Sequence, residues 1–139
     1  MTRKFISGMI LLTIAVLGLV ACGPKAPQDV TISLTDYGIE ASQTTFKVGQ
    51  PYHFIITNDG AIEHELMIMP PMAQDANMEM SEMDEMALAM VEEDDLPPGA
   101  TETLDVTFDQ AYPAGTLEFS CHVEGHYEAG MKEAIIVER

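Results

Sequence analysis

Positive charge is what this chain most lacks. Six Lys and Arg stand against 23 Asp and Glu, giving a formal net charge of −17 at pH 7. Nucleic acid is excluded as a partner class on that balance, because a phosphate backbone recruits Lys and Arg. The acidity suits a basic partner surface, and serves plain solubility equally well. Cysteine is almost as scarce, with only Cys22 and Cys121 present. The apolar run Ile6–Val20 is also short, about fifteen residues where a membrane-spanning helix needs roughly 20. Behind Arg3 and Lys4 it reads as the h-region of an export signal.

That run ends in Leu19-Val20-Ala21-Cys22-Gly23, which resembles the lipobox of bacterial lipoproteins. The resemblance implies cleavage before Cys22, which becomes the lipidated N-terminus; an ordinary signal peptide or an uncleaved anchor is the alternative. The expected organisation is a signal peptide at 1–21, a lipidated tether at 22–28 and one domain at 29–139. The tether, extended, reaches about 20 Å, which holds the domain close to the bilayer. Roughly 115 residues remain, enough to bury a core. Loss of Arg3 and Lys4 takes the charge from −17 to about −19. With Cys22 acylated, Cys121 has no disulfide partner, and a lone thiol in an oxidising compartment needs an explanation. A bound metal would hold and shield it.

Helix–strand alternation is missing from the remainder. Val30–Leu34, Thr45–Val48, Tyr52–Thr57, Ile62–Met69, Thr101–Phe108, Gly115–Cys121 and Ala134–Glu138 read as short strands. Turn signals separate them, notably Asn58-Asp59-Gly60 and Pro97-Pro98-Gly99. The pattern predicts an all-β sandwich. The exception is an insert at about 70–98, acidic, without Lys or Arg, and rich in methionine: Met72, Met78, Met80, Met83, Met86 and Met90. Ala76, Met80, Met83, Ala87 and Met90 recur at helical spacing, which predicts one amphipathic helix at about 78–91. Those methionines are either the helix's buried face or soft, weak ligands for Cu(I). The insert is expected to be dispensable for the site described next.

Cys121 opens the segment Cys121-His122-Val123-Glu124-Gly125-His126-Tyr127-Glu128-Ala129-Gly130-Met131. Four residues separate Cys121 from His126, and four more separate His126 from Met131. Upstream, the period of two places His64 with Ile62, Leu66 and Ile68, and turns Glu63, Glu65 and Met67 away. On the later strand Leu117, Phe119 and Cys121 share a face. Two His, one Cys and a weak axial Met are the donors of a mononuclear blue-copper site. Singly, a buried His or Cys is more often core filler; together, at this spacing, they point to metal. Zinc is the competing ion, but a structural zinc site takes four strong N or S donors. His122 is expected to face away from the metal, and His53 to be structural.

The Cys121–Met131 segment and the Asn58–Glu65 stretch resemble the cupredoxin family, most closely its auracyanin and azurin-like branch. The resemblance implies a Greek-key β-sandwich with one inserted Met-rich acidic helix. It implies one type 1 copper per chain, held by His64, Cys121, His126 and Met131, with amides near Glu65 bonded to the thiolate. Glu124 departs from a Pro common in the family and Glu133 from a Gly, which bears on loop packing and potential. No base, nucleophile or open coordination position is evident, so the chain is not expected to be an enzyme. The expected function is single-electron transfer between redox partners by a monomeric protein, extracytoplasmic and lipid-anchored to the bacterial cell membrane, on its periplasmic or outer-surface side. Copper binding and delivery through the insert is the alternative.

Overall fold

Alternation along the strands decides which side chains meet. In β1 (Gln28–Thr35) Val30, Ile32 and Leu34 are buried. In β4 (Pro51–Asn58) the inward set is Tyr52, Phe54, Ile56 and Asn58, with His53, Ile55 and Thr57 half-exposed between them. A period of two along a pleated strand requires this when only one face is covered. The computed structural model describes residues 23, 25–72 and 78–139. The apolar leader, Cys22 and its lipobox lie outside the described residues. Among the described residues, no helix is long and apolar enough to cross a membrane.

The remaining strands are β2 (Gly38–Ala41), β3 (Thr45–Lys47), β5 (Leu66–Met69), β6 (Ala89–Val91), β7 (Thr101–Thr107), β8 (Tyr112–Ser120) and β9 (Lys132–Glu138). They form a four-stranded sheet in the order β2-β1-β4-β7 and a five-stranded sheet in the order β3-β9-β8-β5-β6. β1 with β4 and β3 with β9 run parallel, and the other pairs antiparallel. This is the expected all-β cupredoxin-like sandwich. Its centre is an aromatic cluster in which Phe46 meets Tyr52 and Phe54 edge-on, with ring centroids at 4.9 and 5.6 Å, and Phe119 closes on Phe54 at 5.6 Å. Each such pair adds about 0.5–1.5 kcal/mol beyond its buried area. The Tyr52 hydroxyl accepts the Lys47 amide at 2.8 Å, which satisfies its one polar atom.

The insert carries the expected helix, but a shorter one. Its helix, α1, spans only Met80–Met86, and Ala87 is already extended. The chain then returns to the sheet: Ala89, Met90 and Val91 pair with Ile68, Met67 and Leu66. Leu88 N donates to Ile68 O at 2.8 Å. Pairing satisfies the β5 backbone on its free side, which a longer helix would leave open. The helix is also poorly ended, with no basic residue in its last turn to oppose the helix dipole. A second strand, β2, was not read from the sequence either. It forms a tight hairpin with β1 across Asp36-Tyr37. The insert is not wholly separable: Val91 and Leu96 belong to the main hydrophobic core.

Candidate metal centre

Asn58 is the last inward residue of β4, and its side chain builds the turn that follows. Its Nδ2 donates to Ile62 O and to Leu96 O, each at 2.8 Å, and its Oδ1 accepts the Gly60 amide at 2.8 Å. The turn delivers His64, which is fully buried and whose amide donates to Leu96 O at 3.3 Å. The sequence reading of one strand over Ile62–Met69 is corrected here. The strand starts at Leu66, Ile62 is 47% exposed, and Glu65 and Met67 are buried rather than turned to solvent. Alternation fails because β5 is covered on both faces: the sandwich core lies on one side, and a second cluster of Met67, Met69 and Met83 on the other.

Cys121 comes immediately after β8, fully buried. Its amide donates to Met131 O at 3.1 Å, and Met131 N donates to His126 O at 3.0 Å. Those two bonds close the loop that carries the remaining donors. Gly125 and Gly130 sit at φ of 83° and 101°, left-handed values that cost a side-chain-bearing residue about 1 kcal/mol or more. His126 N donates to Val123 O at 2.9 Å, and its ring is half-exposed at the rim. Met131 is buried with Cys121 in the main core.

Three donor atoms converge. His64 Nδ1 and His126 Nδ1 are 3.3 Å apart, and Cys121 Sγ lies 3.4 Å from His126 Nδ1 and 4.0 Å from His64 Nδ1. Among the described residues these three form a group able to hold a metal ion. Two nitrogens each bound at about 2.0 Å, at an angle near 110°, stand about 3.3 Å apart, and a nitrogen and a thiolate sulfur at about 2.3 Å stand about 3.5 Å apart. The cluster therefore has the spacing of donors that share one ion. Burial pulls the His64 pKa below the ordinary imidazole value, aided by the neighbouring His126, so the ring is neutral and its lone pair is available at pH 7. Burial pushes the Cys121 thiol up, against hydrogen bonds from the Glu65 and Val123 amides to the sulfur. Those amides are arranged to receive a thiolate.

Around the donors runs a layer that sequence reading missed, apart from the amide at Glu65. Glu65 Oε1 accepts the His122 amide at 2.7 Å. The His122 ring turns away from the donors, as expected: its Nε2 meets Ser120 Oγ at 3.0 Å, and it stacks on Tyr127 at 4.5 Å. The Tyr127 hydroxyl donates to the buried Glu118 Oε1 at 2.6 Å and accepts the Met72 amide at 3.0 Å. Lys132 Nζ stands 3.9 Å above the same ring. On the far side of His64, Asp36 Oδ1 lies 3.4 Å from Nε2. His53 is structural, bonded through Nδ1 to Asp105 at 2.6 Å between β4 and β7.

Of the insert's methionines, Met72, Met83 and Met90 gather with Met67 and Met69 in a cluster made only of methionine. Met78 and Met86 are exposed, at 39% and 38%. Sequence reading missed Met67 and Met69; two methionines in alternate positions of an apolar strand opposite a Met-rich insert were the available signal.

No protein-family model matches the chain. The copper-resistant cuproprotein CopI of Rubrivivax gelatinosus is 30% identical over 115 residues, covering 81% of this chain and 68% of that protein. Among solved structures, reduced auracyanin of Roseiflexus castenholzii superposes with a TM-score of 0.58 at 21% identity, over 83% of this chain and 99% of that one. Auracyanin B gives a TM-score of 0.61 at 18% identity, over 83% and 92%. Rusticyanin of Thiobacillus ferrooxidans gives 0.52 at 18%, over 81% and 79%. At these identities the solved structures speak to the fold.

Proposed function

This chain belongs to the cupredoxin family, and from that premise we propose that it holds one type 1 copper through His64, Cys121, His126 and Met131 and carries single electrons between redox partners. The observation that carries the reading is the convergence of His64 Nδ1, His126 Nδ1 and Cys121 Sγ, with the two nitrogens 3.3 Å apart. The donor chemistry fits: two imidazoles, a thiolate and a thioether suit copper, and the thioether disfavours a closed zinc site. Bound copper supplies a one-electron couple. The chain supplies the rest. β8 and the Asn58 turn fix Cys121 and His64 before metal arrives, so the donors shift little when the charge changes. The buried walls exclude water, and the half-exposed His126 edge is the route to a partner. Four donors leave no position for a substrate, so the reading is a carrier and not an enzyme.

The membrane attachment rests on Leu19-Val20-Ala21-Cys22. With β1 beginning at Gln28, a tether of a few residues would keep the domain near the bilayer on the extracytoplasmic face. The acidic insert favours a basic redox partner through steering. Cys22→Ala is expected to release the protein from membranes or block its processing; unchanged detergent partitioning would count against lipidation.

The decisive test of the copper site is the optical and electron-paramagnetic-resonance spectrum of the copper-loaded full chain. One copper with an intense visible thiolate band is expected, and Cys121→Ser is expected to remove the band. An intense band that persists in the variant would sink the assignment.

A second reading, copper binding and delivery, is favoured by the cluster of Met67, Met69, Met72, Met83 and Met90, because thioethers are soft ligands for Cu(I). Methionine also fills irregular cores, and one titration separates the two roles. In the Cys121→Ser background, a Cu(I) equivalent that is lost on changing Met67, Met69 and Met83 to Leu would raise the delivery reading above the carrier one. Absence of any Cu(I) equivalent in that background would leave the methionines as packing.

A further inference from the structure

Asp36 occupies the two-residue turn of the β1–β2 hairpin, far in sequence from every donor, and was singled out by no motif. Its Oδ1 accepts the Ala61 amide at 2.7 Å and stands 3.4 Å from His64 Nε2. That nitrogen is fully enclosed and has no well-aligned hydrogen-bond partner. A buried N–H without a partner keeps the full cost of its lost hydration, so a carboxylate at this range is not incidental. The surrounding backbone makes room for the approach. A Cβ on Gly60 would overlap Asp36 Oδ1 and lie 2.6 Å from His64 Nε2 and 3.2 Å from Asn58 Oδ1. Gly60 is not in a left-handed conformation, so its lack of a side chain serves this convergence and not a turn. The loop is also tied down on the β1 side: Asp59 N donates to Leu34 O at 2.8 Å, and Ser33 Oγ donates to Asp59 Oδ2 at 2.5 Å. The β1–β2 hairpin and the Asn58 turn are thus locked together with the His64 ring between them.

We infer that Asp36 is a positioning residue for His64. Its carboxylate takes the Nε2 proton as a hydrogen bond, which fixes the tautomer, aims the Nδ1 lone pair at Cys121 and His126, and sets a fixed negative charge behind one donor. A ring nitrogen that gives its proton to a carboxylate is a more basic ligand at the other nitrogen, and partners of this kind change metal affinity about 10–100-fold. The charge favours the more positive oxidation state of a metal held at Nδ1, so it lowers the reduction potential. The inference rests on the type 1 copper reading for its redox consequence but not for the tautomer.

The test uses the full chain in detergent as wild type, Asp36→Asn and Asp36→Ala. Asn keeps the acceptor and removes the charge; Ala removes both and leaves Ala61 N unpaired. In copper-free protein, long-range proton–nitrogen spectra are expected to show His64 protonated at Nε2 in wild type and in Asp36→Asn, and a mixture of tautomers in Asp36→Ala. In copper-loaded protein, both variants are expected to have a raised reduction potential. Copper loss to a chelator is expected to quicken about 10–100-fold in Asp36→Ala and to stay within about threefold of wild type in Asp36→Asn. Wild-type potentials in both variants, with an unchanged His64 tautomer in Asp36→Ala, would overturn the assignment. A wild-type chain that takes up no copper would instead sink the type 1 reading, and the copper-free spectra would still decide the role of Asp36.

Discussion

Tyr127→Phe removes a single oxygen from the loop between His126 and Met131, and its cost can be worked from the contacts. The hydroxyl donates to Glu118 Oε1 at 2.6 Å, and Glu118 is 5% exposed. A hydrogen bond to a charged, buried acceptor contributes about 1.5–3 kcal/mol. The same oxygen accepts the amide of half-exposed Met72 at 3.0 Å, a neutral bond of about 1 kcal/mol that water can replace there. The expected loss of stability is therefore about 2–3 kcal/mol. At about 4 °C per kcal/mol for a domain of this size, Tm falls by about 10 °C. The Phe ring keeps the stack on His122 and the Lys132 contact, and Cys121 N to Met131 O still closes the loop, so the visible band is expected to survive. Urea unfolding of the copper-free chain, followed by circular dichroism, measures the loss; a change under about 0.5 kcal/mol would refute the accounting. Alkaline titration gives a second check. Burial, with the Glu118 hydrogen bond behind it, raises the Tyr127 pKa from 10.0 to about 12. A folded-state pKa above the unfolded one stabilises fully below pH 10 and is lost as pH rises towards 12. Tyr127→Phe is expected to lose that part of the alkaline decline.

Three further outcomes are expected. Gly60→Ala places a methyl where Asp36, His64 and Asn58 converge, so copper loss to a chelator should quicken at least about tenfold with the far-ultraviolet spectrum unchanged; wild-type kinetics would contradict the convergence. Met131→Leu preserves volume at a site 1% exposed, and is expected to keep one copper and the visible band while shifting the potential; loss of copper would show the thioether to be a holding ligand. Copper uptake must displace the proton of the Cys121 thiol, whose pKa burial raises, whereas burial already keeps His64 neutral. Apparent affinity should then climb about tenfold per pH unit from pH 6.5 to 8, measured by chelator competition, and a flat profile would argue against thiolate ligation.

The strands of the sandwich were legible where one face alone is buried. Val30, Ile32 and Leu34, or Tyr52, Phe54 and Ile56, alternate cleanly because solvent lies on their other side. The reading failed where both faces are covered. In β5 every residue is buried, so a period of two turns Met67 outwards although it packs against Met69 and Met83. The helix of the insert was legible and its length was not, because helical periodicity over Met80–Met90 is a local signal. The backbone of Ala89–Val91 instead answers a demand set by Leu66–Ile68, some twenty residues away. The three convergent donors were legible because their chemistry is rare and their spacing compact: Cys121 and His126 fall in one loop, and His64 follows a strong turn.

What supports those donors was not legible, because each supporting residue is ordinary in its own stretch of chain. Asp36 reads as a turn residue, Glu118 as the polar side of a strand, Tyr127 as loop filler and Leu96 as the end of an acidic run. Their meaning lies in pairings outside their own stretches: Asp36 with Ala61, Glu118 with Tyr127 across the loop, Leu96 with both Asn58 and His64. Leu96 also sets where the insert ends physically. Its carbonyl accepts from Asn58 Nδ2 and from His64 N, and its side chain is fully buried. A shortened replacement that runs through Leu96 would displace the carbonyl to which both Asn58 Nδ2 and His64 N donate, so the metal centre and the insert meet at this residue. The insert meets the sandwich a second time at β6, whose three residues pair with β5, the strand that follows His64, while β5 pairs on its other side with β8, the strand that precedes Cys121.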